Sequence, residues 1–167
     1  VPLSGAPARF HRCNFASLDA HHDPVAHEAG RQLAENGHVD GRPGLLLHGP
    51  VGNGKTSIGV AAIHLRAEVT NGRESLRFWE ASAGLQEIRA SFSGDGNDAR
   101  PVSYAELAEN EFIVIDDLGS QHLTDWSKSQ FYLLINELYK RDRRVVITTN
   151  LTVPQMAESE ALRALDS

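Results

Sequence analysis

The stretch that decides the fold is Leu45-Leu46-Leu47-His48-Gly49-Pro50-Val51-Gly52-Asn53-Gly54-Lys55-Thr56-Ser57. Residues 49–56 match G-x-x-x-x-G-K-[ST] in full. Three leucines lead in, as a buried strand does, and a helix-forming segment runs on to Val69. Glycines permit the tight curl in which successive backbone N–H groups converge on phosphate oxygens. The helix start adds its partial positive charge at the same place. Lys55 offers a mobile cation to the β- and γ-phosphates, and the Thr56 hydroxyl is a ligand for Mg²⁺. Gly49, Pro50, Val51, Gly52, Asn53, Gly54, Lys55, Thr56 and Ser57 are therefore the expected cradle for ATP or ADP. The alternative is a glycine-rich turn without a ligand, and the flanking strand and helix argue against it.

A second signal lies downstream. Phe112-Ile113-Val114-Ile115 is a continuous apolar run rich in branched residues, as in a strand buried on both faces of a parallel sheet. It ends in Asp116-Asp117. Adjacent carboxylates at the end of a buried strand are costly without a cation nearby. In a P-loop protein that cation is Mg²⁺, held by Asp116 through coordinated water, with Asp117 placed to polarise the attacking water. A solvated acidic turn is the alternative. Val145-Val146-Ile147-Thr148-Thr149-Asn150 reads as a further strand, whose Asn150 could hydrogen-bond that water or the γ-phosphate.

Between these anchors strands alternate with helices. Residues 1–22 carry Pro2, Gly5 and Pro7 without periodicity and read as an extended arm, anchored by Phe10 and Phe15. Asp23-Pro24 opens a helix that Asn36-Gly37 closes. His21, His22 and His27 near this start lack a completed ligand set and read as surface or capping groups. Asn71-Gly72 ends the helix that begins at Lys55, which is apolar on more than one face and so lies under other elements. A strand over 76–80 follows, then a helix capped by Ser82 and reaching about residue 92. Residues 93–101 are loop-like, and Ser103 with Glu106 forms a capping box. After a loop over 118–124, a long helix from Asp125 buries Phe131, Leu134, Ile135 and Leu138. Lys140, Arg141, Arg143 and Arg144 crowd its end, where cations are favourable. Contact with DNA is the alternative for this cluster. Pro154 starts another helix, and residues 161–166 form a last short one. This alternation predicts an α/β fold, a three-layer parallel sheet with helices on both faces and the ligand at the carboxyl ends of the strands.

Composition agrees: with 167 residues, 41% hydrophobic and 23% charged, the chain is one ordinary globular domain. One cysteine, Cys13, excludes an internal disulfide framework and suits a reducing compartment. No apolar run reaches membrane-spanning length, so the cytoplasm is the expected location. The net charge of −6 argues against a basic nucleic-acid surface over the whole domain but not against a local groove. The start at Val1 rather than Met suggests an excised or processed beginning.

The motifs together carry a family resemblance. Residues 49–56 look like a Walker A motif, 112–117 like a Walker B, and 147–150 resemble the sensor 1 strand of AAA+ ATPases. Ile115-Asp116-Asp117-Leu118-Gly119, Asp125-Trp126 and Ile147-Thr148-Thr149-Asn150-Leu151 are similar to the bacterial helicase loaders of the DnaC and DnaI type and their IstB transposition relatives. The opening Pro7-Ala8-Arg9-Phe10, with Asn14-Phe15, resembles the segment leading into that ATPase domain. The resemblance implies that Lys55 and Thr56 bind phosphate and Mg²⁺, that Asp116 holds the metal, and that Asn150 is sensor 1. Asp117 stands where many AAA+ enzymes have the longer Glu. It further implies an arm over 1–22 and an AAA+ core over 23–167. The resemblance also implies the strand order second, third, fourth, first, and on it the fifth strand, lid and arginine-finger motif are expected to be missing, with Arg163 a few residues early for that finger. A replicative helicase, single-stranded DNA and further copies of the full-length chain are the implied partners, and replication the implied process. An IstB-like transposition ATPase shares every motif. A P-loop kinase for a small metabolite and a non-hydrolysing ATP-binding module are the other classes.

Overall fold

Four strands run parallel in one sheet: β1 (Gly44–His48), β2 (Leu76–Glu80), β3 (Phe112–Leu118) and β4 (Arg144–Thr149). Their order is β1-β4-β3-β2, the expected order read from the opposite edge. The computed structural model describes residues 5–93, 103–119, 124–152 and 154–155. Around the sheet lie α1 (Pro24–Asn36), α2 (Lys55–Val69), α3 (Ala81–Ser93), α4 (Tyr104–Leu107) and α5 (Asp125–Lys140). Parallel pairing demands such helical crossovers.

The continuous apolar run of β3 follows from burial on both faces. Phe112 and Val114 join Leu33, Ile58, Ile63 and Phe78 on the side of α1 and α2. Ile113 and Ile115 join Phe131, Leu134 and Leu138 of α5 on the other. Val60, Ala61, Ala62 and Ile63 of α2 are wholly buried, as its unpatterned apolarity requires. A Cβ on Gly59 would stand 2.9 Å from Val114 Cγ1, so α2 lies directly on β3. That contact sets the start of α2 relative to the strand that carries the two carboxylates.

Helix ends follow local chemistry in most places. The Asp23 side chain accepts from Ala26 N, and Gly37 closes α1 at φ 78°. Ser103 and Glu106 make both halves of a capping box. Some boundaries differ from expectation. The third helix begins at Ala81 rather than at a Ser82 cap, because β2 runs straight into it. The Glu80 carboxylate takes the capping role, accepting from Ser82 N at 3.0 Å and Ala83 N at 2.8 Å. The third strand runs past Asp116-Asp117, its expected end, to Leu118, the first residue of the expected loop. Its register against β4 shifts between Ile115 and Leu118. Residues 94–102, most of the expected loop before Ser103, lie outside the described residues, as does the short helix expected over 161–166.

Residues 5–22 are not a straight run. They form a 3₁₀ turn at Ala8–Phe10 and further turns. Phe10, Cys13, Phe15 and Leu18 pack against the core under α1 and α2. His27 of α1 bonds Phe15 O at 3.1 Å, and His64 of α2 bonds Cys13 O at 2.6 Å. His27 thus clasps the arm. Among the described residues no three His, Cys, Asp or Glu side chains group to hold a metal, and no helix is long and apolar enough to cross a membrane.

One ion pair ties this side together. Arg66 of α2 is only 7% exposed. It donates to both carboxylate oxygens of Glu74 and, through Nη1, to Ala34 O at the end of α1 (3.2 Å). The guanidinium holds the Glu74 carboxyl below its ordinary 4.5. Removing one partner of a buried pair strands the other charge. Glu74→Ala is therefore expected to lower unfolding free energy by about 3 kcal/mol at pH 7 in urea denaturation. Because the folded carboxyl binds its proton less readily than the unfolded one, the contribution is complete above about pH 4.5 and fades below it. The gap between parent and variant must shrink in acid; a gap independent of pH would exclude the ion pair as its source.

Candidate nucleotide site

The phosphate-loop motif forms the turn between β1 and α2. Gly49, Gly52 and Gly54 adopt φ of 141°, 87° and 84°, a region that side chains disfavour. Gly54 precedes Lys55 as the N-cap of α2, and no side chain caps this end. Among the described residues α1, α3, α4 and α5 each have a side-chain acceptor there: Asp23, Glu80, Ser103 and Thr124. The start of α2 thus keeps its partial positive charge and its unpaired N–H groups without a side-chain partner. Lys55 Nζ bends back over the loop and donates to Gly49 O (2.7 Å), Pro50 O (2.8 Å) and Asn53 Oδ1 (2.9 Å). Burial pulls its pKa below the ordinary 10.5, against the opposing pull of Asp117 and Asp116. Val51 at the loop tip is 83% exposed, and Ser57 sits half-buried in the first turn of α2.

The carboxylates stand at the end of β3, which β4 separates from β1 in the sheet. Thr56 Oγ1 donates to Asp116 Oδ1 at 2.9 Å. Thr148 Oγ1 donates to the same oxygen at 2.7 Å. Asp116 is 6% exposed. Burial pushes its carboxyl above the ordinary 3.8; the two hydroxyls oppose this, and the Asp117 and Glu80 carboxylates add to it. Asp117 is half-buried and left-handed, with φ 59°. Its Oδ1 accepts from Asn150 Nδ2 at 3.0 Å, and its backbone N–H donates to Thr148 Oγ1 at 2.9 Å. Lys55, Thr56, Asp116, Asp117 and Asn150, spread over the sequence, thus gather at the carboxyl ends of β1, β3 and β4.

Two participants escaped the sequence reading. Thr148 looked like an ordinary strand residue. The available signal was its spacing two before Asn150, since alternate strand residues share a face. Glu80 pairs in register with Asp116 and faces it electrostatically. The basic cluster lies elsewhere. Arg144 opens β4 at the amino end of the sheet, Arg143 Nε donates to Ala108 O at 2.8 Å, and Lys140 pairs with Glu137 at 3.1 Å. A cleft of about 100 Å³ between α3 and α5, lined by Leu85, Arg89, Trp126 and Phe131 among others, includes no residue of the phosphate loop.

These features can be set beside known proteins. Among solved structures the chain is similar to the DnaC helicase loader, at 22% identity and a TM-score of 0.73, over 96% of this chain and 93% of that one. It is similar to DnaI at 18% identity and a TM-score of 0.73, over 97% and 87%. AMPPCP-bound DnaA from Aquifex aeolicus aligns at 15% identity and a TM-score of 0.66, over 90% of this chain but 44% of that one. At these identities the likeness is one of fold. No curated protein matches the chain by sequence. The profile of the family described as IstB-like ATP binding protein matches residues 10–160. With that span covered and a P-loop sheet of the same order, the chain belongs to the IstB-like ATP-binding family.

Proposed function

We propose that this domain is a Mg²⁺-dependent ATPase of the AAA+ type that serves as a replicative helicase loader on single-stranded DNA. One observation carries the ATPase reading: Thr56 of the phosphate loop is hydrogen-bonded to Asp116 of β3. That bond makes the loop and the carboxylate a single site. Gly49 to Ser57 form the cradle, with Lys55 as its cation. Lys55 already lies among oxygen acceptors and exchanges one of them for a phosphate oxygen.

The residues fit a divalent cation. A carboxyl pushed up by burial, bonded to a hydroxyl that is itself a hard oxygen ligand, is the donor chemistry of Mg²⁺. With so few protein ligands, the nucleotide supplies the others, as is usual for this ion. Thr56 and Asp116 would hold it, and when bound it neutralises charge on the phosphates. Asp117, tethered to Asn150, is the group that orients the attacking water and takes its proton. Asn150 keeps that carboxylate aimed.

Fold likeness to the DnaC helicase loader over nearly both full lengths supports loading as the biological role, with a replicative helicase, single-stranded DNA and further copies of the chain as partners in the cytoplasm. The family description supports a second reading, an IstB-like ATPase assisting a transposase. A loading assay decides: ATP-dependent delivery of a replicative helicase onto single-stranded DNA supports the first, and its absence alongside stimulation of a transposase supports the second.

Three outcomes are expected of the site itself. Lys55→Ala loses one charge-assisted contact, so calorimetry should record roughly tenfold to hundredfold weaker Mg·ATP binding. Unchanged affinity would remove the loop from the site. Asp117→Asn keeps ATP bound but lowers hydrolysis, since it removes only the proton acceptor; turnover at the parent rate would exclude that role. Asp116→Asn concerns stability. A carboxyl whose folded pKa is raised opposes folding while ionised, and the penalty lifts as pH falls through that raised value. The variant should melt higher than the parent at pH 7 in EDTA without nucleotide, by a margin that closes in acid. Equal melting at pH 7 would mean that burial does not strain Asp116.

A further inference from the structure

Asp116 and Asp117 are adjacent yet have different partners, and the cause lies on the opposite strand. β3 and β4 pair regularly from Phe112 with Arg144 to Ile115 with Ile147, then resume at Leu118 with Thr149. Two residues of β3 therefore face one residue of β4, Thr148. Such a bulge breaks the ladder locally and re-aims side chains. Here the second bulged residue, Asp117, takes the left-handed conformation at φ 59°. Its N–H is met by a side chain, the Thr148 hydroxyl, at 2.9 Å. The same hydroxyl spends its single hydrogen on Asp116 Oδ1 at 2.7 Å. Thr148 is 1% exposed, so water has little access to substitute for it.

We infer that Thr148 is a positioning residue for the metal–nucleotide site, holding the two bulged carboxylates in their separate directions with one hydroxyl. This rests on the reading of Thr56 and Asp116 as the Mg²⁺ side of a nucleotide site. Thr56 and Thr148 both donate to Asp116 Oδ1, one from α2 and one from β4, so the carboxylate is gripped from two elements. Asn150, two residues further along the chain, grips Asp117. β4 thus arranges both acids, and the phosphate loop reaches only the first. Valine has the shape of threonine without the hydroxyl. In its place the Asp117 N–H loses its acceptor and Asp116 keeps only the Thr56 bond.

The test measures ATP affinity with Mg²⁺ and with EDTA for the parent, Thr148→Val and Thr148→Ser. The ratio of the two affinities isolates the metal-linked part of binding, which a general loss of stability does not move. Thr148→Val should bind ATP in EDTA like the parent, through the loop and Lys55, while its gain from Mg²⁺ falls about tenfold, the worth of one charge-assisted hydrogen bond. Thr148→Ser keeps the hydroxyl and should stay within about twofold of the parent. A Val variant with the parent's full Mg²⁺ gain overturns the inference. So does a Ser variant whose gain falls tenfold, and that arm decides even if the Val variant does not fold. A parent that gains nothing from Mg²⁺ overturns the site reading and this inference together; a parent that gains, with a Val variant that gains equally, overturns this inference alone.

Discussion

The site depends on one hydrogen bond between elements 60 residues apart, from Thr56 Oγ1 to Asp116 Oδ1. Its geometry is decided by packing well away from it. α2 reaches β3 closely because Gly59 has no side chain, and Val114 fills the space a Cβ would need. The loop that begins α2 is therefore placed by a core contact, and the carboxylate is placed by the same strand that supplies Val114. A polar bond at the edge of a core holds because the apolar part has already fixed both partners. The energetic weight lies in the packed faces of β3, and the specificity in a few hydroxyls and carboxylates at its end.

The caps divide the helices into two kinds. α1, α3, α4 and α5 satisfy their first N–H groups with their own neighbouring side chains. α2 has glycine where a cap would stand. Glycine in place of a capping side chain costs a helix only about a few tenths of a kcal/mol, so this end carries a small local cost. The cost falls at the end that faces the phosphate loop. Stability is thus surrendered at the place where a ligand would restore it, and nowhere else among these helices.

Much of this was legible in the chain because single residues carried the meaning. Asp23-Pro24 pointed to a helix start, Asn71-Gly72 to a helix end, and the unbroken apolar run of β3 to cover on both faces. Lys55 and Thr56 were found in the glycine-rich motif, Asp116, Asp117 and Asn150 at the ends of apolar runs read as strands, and the fold brings the five together. The rest was hidden because it depends on partners. Ser82 has a good cap's chemistry, but Glu80 reaches over it from the last position of the strand. The bulge at Asp116 and Asp117 exists only relative to β4. Thr148 has the composition of any strand threonine, and its role comes from a contact 32 residues away. Local propensity cannot register an acceptor that arrives from another strand.

The sheet order also bears on how the protein comes into being. β1 hydrogen-bonds only to β4 among the described strands, and Gly44 pairs with Val145, about 100 residues later in the chain. The phosphate loop thus leaves the ribosome about 100 residues ahead of the strand that β1 pairs with. At about 5–20 residues per second, roughly 5–20 s separate the two events. During that interval the loop has its glycines and its lysine but no neighbouring strand, no Thr148 and no Asn150. A nascent chain therefore passes through a period in which the loop is present and the side chains that hold Asp116 and Asp117, Thr148 and Asn150, are not.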